Sequence, residues 1–123
     1  MKSLSQFIKE SASNYKRYYL VVPHYDYEGY GDPLRCFDNQ SKATTFINKQ
    51  TDKVGDSIEV IEVNAINGKL NKGVVYAVAS YADYEGFTDF YALFSTMGEA
   101  QDFMKIKKME LKTINFEIVE IPF

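Results

Sequence analysis

The sequence lacks residues on which several classes of small protein depend. Its 123 residues include one cysteine (Cys36), one histidine (His24) and no tryptophan. A single cysteine excludes an internal disulfide and any cysteine-cluster zinc site. No apolar run approaches the roughly 18–20 residues of a membrane-spanning helix, so we expect no membrane partner. No phosphate-binding glycine loop, nucleophile elbow or paired-histidine motif is present, so we expect neither a cofactor nor an enzyme.

The chain also has no excess of positive charge. The chain carries 14 Lys+Arg against 17 Asp+Glu, a net charge of −3. This argues against a nucleic-acid partner, because phosphate binding needs clustered basic residues. Stacking of RNA bases on Tyr18, Tyr19 and Tyr76 would need a basic surround that is missing. The basic cluster at 105–108 lies near the end of a predicted helix, where it complements the helix dipole as a solvated face.

What the sequence does contain is an internal repeat. Residues 17–47 align with residues 74–104 without a gap, at an offset of 57. The shared tetrapeptide Asp-Tyr-Glu-Gly begins at Asp26 in one copy and at Asp83 in the other. A last segment, 58–63, matches 116–121 at an offset of 58. We interpret this pattern as a duplication.

Each copy predicts a β-β-α-β unit. The first strands, 17–25 and 74–82, are rich in Tyr and Val, and the second strands are expected at about 33–38 and 88–94. Asn39 and Thr96 are the predicted helix N-caps. The helix faces are expected to bury Ala43, Phe46 and Ile47 in one copy and Ala100, Phe103 and Met104 in the other.

One such unit is too small to bury its sheet and its helix well. We therefore predict an α+β fold, a tandem duplication of the β-β-α-β unit forming one pseudo-twofold domain. The predicted organisation is a leader at 1–10, a first repeat at 11–63, a polar linker at 64–73 and a second repeat at 74–123.

The duplicated loops, 26–32 and 83–89, are the most distinctive segments. Each offers carboxylates and two aromatic residues that we expect to be exposed, a combination suited to protein recognition. The candidate partner-binding residues are Asp26, Tyr27, Glu28, Tyr30, Asp83, Tyr84, Glu85 and Phe87. The alternative is a plain hairpin turn that needs glycine. Calcium ligation is a further alternative, but the loops lack the full EF-hand pattern and we predict no metal site.

His24 and Cys36 are the residue types of a nucleophilic catalytic dyad. The second copy has Tyr81 and Leu93 at the matching positions, so the repeat gives this dyad no support. We expect Cys36, beside Phe37, to be a small core residue.

The first ten residues, MKSLSQFIKE, have no counterpart in the second copy. Leu4, Phe7 and Ile8 have helical spacing, which is typical of a short amphipathic helix. One interpretation is a structural N-terminal helix on a non-catalytic cytoplasmic binding module. A secretory signal does not fit, because the apolar run is short and interrupted.

The same ten residues resemble the capsid-targeting leader of internal head proteins in T-even-type tailed phages. The shared features are Met-Lys, a small hydroxyl residue, and then Gln-Phe-Ile-x-Glu. The resemblance implies that the leader docks in the prohead scaffold and is cut by the prohead protease after Ile8-Lys9-Glu10, before Ser11. It also implies a location inside the virion, then ejection into the host cytoplasm and action on a host defence protein.

The charge of the chain departs from many packaged internal proteins, which are basic. Removal of residues 1–10 leaves 12 Lys+Arg against 16 Asp+Glu, a net charge of −4. Condensation on DNA would be electrostatically unfavourable for such a fragment. The leader would then carry the targeting, and the remaining chain would act on an unidentified host protein.

Overall fold

The computed structural model describes residues 16–50, 54–83 and 85–123. The predicted leader, with Ile8, Glu10 and Ser11, lies outside the described residues, and so does Tyr84. Within the described part, no helix has the length and apolar character needed to cross a membrane.

The described chain forms an α+β fold with two helices and seven strands. The strands are β1 (Lys16–Tyr25), β2 (Gly29–Tyr30), β3 (Arg35–Phe37), β4 (Ser57–Ala65), β5 (Val74–Ala82), β6 (Gly86–Phe94) and β7 (Asn115–Pro122). The helices are α1 (Gln40–Lys49) and α2 (Met97–Glu110). The order of helices and strands in the second half agrees with the predicted β-β-α-β unit, whereas the first half has one more short strand before its helix.

All seven strands belong to one antiparallel sheet with two groups of neighbours. In the first group, β1 pairs with β4 along one edge and with β2 and β3 along the other. In the second group, β5 lies between β6 and β7. Tyr30 of β2 pairs with Phe87 of β6, and this pair joins the two groups.

The main core lies between the two groups of strands. Alternate residues of β1, including Tyr18, Leu20 and Val22, belong to the same buried cluster as Val75 and Ala77 of β5. Because successive residues of a strand point to opposite faces, this cluster defines one inner face for each group. The sheet therefore curls so that its two inner faces cover each other.

The helices cover the outer faces of the sheet. Phe103 of α2 packs on Phe94 of β6, with ring centroids 5.4 Å apart, in a second buried cluster that includes Val78. On the other side, α1 buries Ala43 and brings Phe46 against Phe37 of β3 at 5.4 Å. The faces predicted for both helices are thus the ones that pack on the sheet.

Both predicted N-caps are confirmed. The Asn39 side chain accepts a hydrogen bond from the Lys42 amide at 2.8 Å, and Thr96 Oγ1 accepts one from the Glu99 amide at 3.2 Å. The hydroxyl of Thr96 also donates to the Glu99 carboxylate at 3.0 Å. Each cap satisfies an amide that has no partner inside its helix.

The second strand of the first half differs from the prediction of a continuous strand at 33–38. It is split into β2 and β3 by residues 31–34. Pro33 has no amide hydrogen and cannot donate to a ladder. Gly31 and Leu34 still donate to carbonyls of β1, at 3.0 and 2.8 Å, so the interrupted segment stays beside that strand.

Two further details differ from the sequence expectations. The linker starts later than residue 64, because β4 runs to Ala65, and the linker buries Ile66 and Leu70. The cluster at 105–108 is not entirely solvated: Lys107 is buried, with Nζ 4.2 Å from the centroid of the Tyr91 ring. Desolvation lowers the pKa of Lys107, while the nearby Glu110 and Asp89 oppose that shift.

A buried hydrogen bond ties the linker to the core. The amide of Leu70 donates to the Tyr18 hydroxyl at 2.8 Å, and Tyr18 is fully buried. The Tyr18 ring also meets Phe123 edge-on at 5.4 Å. The hydroxyl of Tyr18 thus supplies the polar partner that a buried linker amide requires.

Replacement of Tyr18 by Phe should lower the free energy of unfolding by about 1–3 kcal/mol, because the Leu70 amide would remain buried without its acceptor. Urea denaturation measures this change. The matched control is Tyr19→Phe on the opposite face of β1, for which we expect a change within about 0.5 kcal/mol. Equal losses in the two variants would contradict a specific role for the Tyr18 hydroxyl.

Candidate functional site

The two predicted binding loops meet where β2 pairs with β6. Gly29 and Gly86 both have positive φ, +75° and +67°. A Cβ atom on Gly86 would lie 2.6 Å from the Tyr30 carbonyl oxygen and 2.7 Å from that of Glu28. A Cβ on Gly29 would collide with the Glu85 carbonyl oxygen. The absence of a side chain at both positions therefore allows the two hairpins to touch.

The first loop is a tight turn that displays Tyr27. The Glu28 amide donates to the Tyr25 carbonyl at 3.1 Å. Tyr27 has a φ of +68°, which is uncommon for a residue with a side chain, and its side chain is 100% exposed. In the second loop, the Glu85 amide donates to the Ala82 carbonyl at 3.0 Å. Both loops therefore begin with a hydrogen-bonded turn.

An unforeseen residue, Asp56, fixes the first loop. Its carboxylate accepts a hydrogen bond from the Asp26 amide at 2.7 Å, and its own amide donates to the His24 carbonyl at 2.9 Å. Gly55, with a φ of +73°, places Asp56 there. The only sequence signal was a Gly-Asp pair just before a strand, which is typical of many turns.

A cleft of about 430 Å³ opens between the two loops. We call the pairing of β2 with β6 the seam, and this cleft the seam cleft. The residues that line the cleft are His24, Tyr27, Gly29, Tyr30, Glu85, Phe87 and Thr88. The His24 ring meets the Tyr30 ring edge-on at 5.0 Å. Phe90 supports this aromatic wall from the core side, 6.3 Å from Tyr30 and 5.6 Å from Phe87 between ring centroids.

The structure brings the predicted loop residues together but exposes them unequally. The four carboxylates, Asp26, Glu28, Asp83 and Glu85, are exposed. Tyr30 is half-buried, and Phe87 is 8% exposed and packs in the main core. The expectation of an exposed aromatic at residue 87 was therefore wrong, because Phe87 points to the inner face of β6.

Tyr30 links the seam cleft to the edge of β4. Its hydroxyl donates to Glu59 Oε1 at a long 3.4 Å. Desolvation raises the pKa of Tyr30, and the negative charges of Glu59 and Asp89 raise it further. The hydroxyl is protonated at neutral pH, and its single proton is the one donated to Glu59.

The predicted alternatives to protein recognition gain little from the geometry. Within the described ranges, no group of three or more His, Cys, Asp or Glu side chains is placed to hold a metal ion. Cys36 of β3 pairs with Leu20 of β1, which is four residues away from His24 along β1. His24 itself pairs with Tyr30. Tyr18, which we considered for base stacking, is fully buried.

A second groove, of about 460 Å³, runs along α1. Its lining includes Phe37, Phe46, Lys42 and Lys49. It contains none of the predicted site residues, and its basic rim contrasts with the acidic loops of the seam cleft.

Comparison with protein-family models, with curated proteins and with solved structures finds no match to this chain.

Gly86→Ala should reduce the free energy of unfolding by at least about 2 kcal/mol, because the added Cβ meets backbone oxygens and the φ is positive. Chemical denaturation of the full chain measures it. The control is Gly98→Ala in α2, where a Cβ meets nothing within 4 Å and the helix should gain about 0.5–1 kcal/mol. If Gly86→Ala were as stable as the parent chain, the close approach of the two hairpins would be refuted.

Cys36 should not react with a thiol reagent such as dithionitrobenzoate in the folded protein. Its side chain is 1% exposed, and burial raises its pKa to about 12, so thiolate is scarce at mildly alkaline pH. We expect one equivalent of thiol to react only in denaturing guanidinium chloride. Rapid reaction of the native protein would reopen the question of a nucleophilic cysteine.

Proposed function

We propose that this chain is a phage internal head protein that is packaged in the capsid, trimmed after Glu10 and ejected into the host with the DNA. There it binds and inhibits or redirects a host defence protein. The observation that carries the proposal is the leader-like segment MKSLSQFIKE, which ends in the triplet Ile8-Lys9-Glu10.

The position of the folded part is compatible with this processing. The first described strand begins at Lys16, so a cut before Ser11 would remove none of the described helices and strands. The remaining fragment, with its net charge of −4, would not rely on DNA for retention. The prohead scaffold and protease would be its partners during assembly.

The folded part, in this proposal, is a tandem duplication with a pseudo-twofold axis at the seam. Tyr30 and Phe87, the residues that pair across it, are separated by 57, which is the offset of the sequence repeat. The contacts of the two glycines are reciprocal: Gly29 faces the backbone of Glu85 and Phe87, and Gly86 faces that of Glu28 and Tyr30. Both observations support an arrangement like a homodimer fused in one chain.

Host-protein binding is assigned to the two loops at the seam. The exposed loop residues Asp26, Tyr27, Glu28, Asp83 and Glu85 lie on adjoining turns, and so they offer one continuous surface. Tyrosine supplies a large contact area at a low entropic cost, and carboxylates add specificity.

Co-expression of the full chain with a T-even-type prohead protease tests the packaging route. Intact-mass analysis should show a single cut between Glu10 and Ser11, since the triplet before it fits the expected site. A Glu10→Gln chain is the matched control and should remain whole. Failure to cut the parent chain, under conditions that process a known leader, would refute packaging.

Deletion of residues 1–10 distinguishes the packaging hypothesis from its alternative, which is a cytoplasmic binding module with a structural N-terminal helix. A leader should be removable without change in the free energy of unfolding. A structural helix would bury Leu4, Phe7 and Ile8, and each replacement by Ala would then cost about 2–5 kcal/mol. Such losses would favour the cytoplasmic module.

A further inference from the structure

The negative charge of the chain is concentrated at the seam. Loops 26–32 and 83–89 contain six carboxylates and no basic residue, and all six are exposed. The rest of the chain has 14 Lys+Arg against 11 Asp+Glu, a net charge of +3. The excess of negative charge is therefore confined to these two loops, and one of the six carboxylates, Glu85, lines the seam cleft.

The seam cleft combines this charge with aromatic walls. His24, Tyr30 and Phe87 form its floor and sides, while Tyr27 stands fully exposed at its mouth. Glu85 lines the cleft directly. It is an open cleft, and its volume of about 430 Å³ lies within the range of ligand-binding pockets in proteins.

The mouth of the cleft is held in place before any partner arrives. The Asp56 carboxylate holds the Asp26 amide, and the Glu28 amide closes the turn on Tyr25. Tyr27 is presented at the apex of this turn. The backbone that carries Tyr27 is therefore held before binding, which lowers the entropy that the loop loses when a ligand binds.

We propose that the seam cleft binds an extended, arginine-rich segment of a partner protein. A guanidinium group enters between the aromatic walls, stacks on Tyr27 and faces Glu28 and Glu85. Aromatic faces and carboxylates both attract a cation, and the planar guanidinium can use both at once. The inference deepens the proposed function, since it names the chemistry by which the host protein is recognised.

The negative charge of the two loops favours an arginine-rich segment over other ligands. Nucleic acid and acidic peptides would be repelled by six exposed carboxylates. A second copy of this chain is the competing occupant, because Lys105 and Lys108 form an exposed basic patch on α2. Self-association of the chain through this patch would count against the proposal.

The test uses the full chain and a fluorescent peptide of alternating arginine and glycine, about ten residues long, which spans roughly 33–36 Å when extended. Fluorescence anisotropy should show saturable binding that weakens as salt is added. The matching peptide of alternating glutamate and glycine should not bind. Absence of saturable binding by the arginine peptide would overturn the proposal.

Paired variants locate the binding. Glu28→Gln with Glu85→Gln should raise the Kd about tenfold, because both carboxylates that face the cation are neutralised. Asp102→Asn with Glu120→Gln makes the same change of net charge at exposed sites on α2 and β7, and should raise the Kd less than about threefold. Equal effects of the two pairs would show attraction to net charge alone and would overturn the proposal.

Substitution of Tyr27 tests the aromatic part of the site and should leave the fold intact. Glycine readily adopts the positive φ of this position, so Tyr27→Gly should fold, while loss of the ring raises the Kd about two- to fivefold. Tyr27→Phe should bind like the parent chain. Unchanged binding by Tyr27→Gly would overturn the stacking role.

Analytical ultracentrifugation of the full chain tests whether a second copy of the chain occupies the cleft. We expect a monomer whose state is the same in the parent and the variants. A dimer that the Glu28/Glu85 variant dissociates would assign the cleft to a second copy and overturn the proposal. Processing at Glu10 is measured separately, so failure of peptide binding with normal cleavage would remove the cleft inference while leaving packaging intact.

Discussion

The continuity of the sheet depends on one close backbone contact, the pairing of β2 with β6 at Tyr30 and Phe87. Glycines on both sides make it possible, because any Cβ at residue 29 or 86 would collide with carbonyl oxygens of the facing hairpin. This contact joins the two groups of strands into one sheet. It also brings the two acidic loops side by side, so the fold and the candidate site share a single physical cause.

The main core also holds the two groups of strands together. Neither group of strands covers its own inner face: Leu20 and Val22 of β1 are buried in one cluster with Ala77 and Ala79 of β5. The small side chains of β5 leave room for the larger ones of β1, as close packing requires. Each helix then needs to cover only an outer face. The loops at the seam consequently rest on a rigid base, which favours a preformed recognition surface.

Local signals in the sequence predicted much of this fold. Asn39 and Thr96 marked the helix starts because capping is a local interaction, and strand β5 has the predicted bounds. The inner position of Phe87 was missed because residues 83–89 were predicted to be a loop, whereas β6 already begins at Gly86 and pairs Phe87 with Tyr81. Asp56 and the pairing at the seam depend on residues distant in sequence, and a local pattern does not specify such contacts.

The central claim is that the two loops form one surface because β2 and β6 pair at Tyr30 and Phe87. NMR of the isotopically labelled full chain tests this most directly. The account predicts NOEs between backbone protons of Tyr30 and Phe87, because paired strands bring these protons close together. If the two hairpins gave strong NOEs within themselves but none across the seam, the loops would be independent and the account would be contradicted.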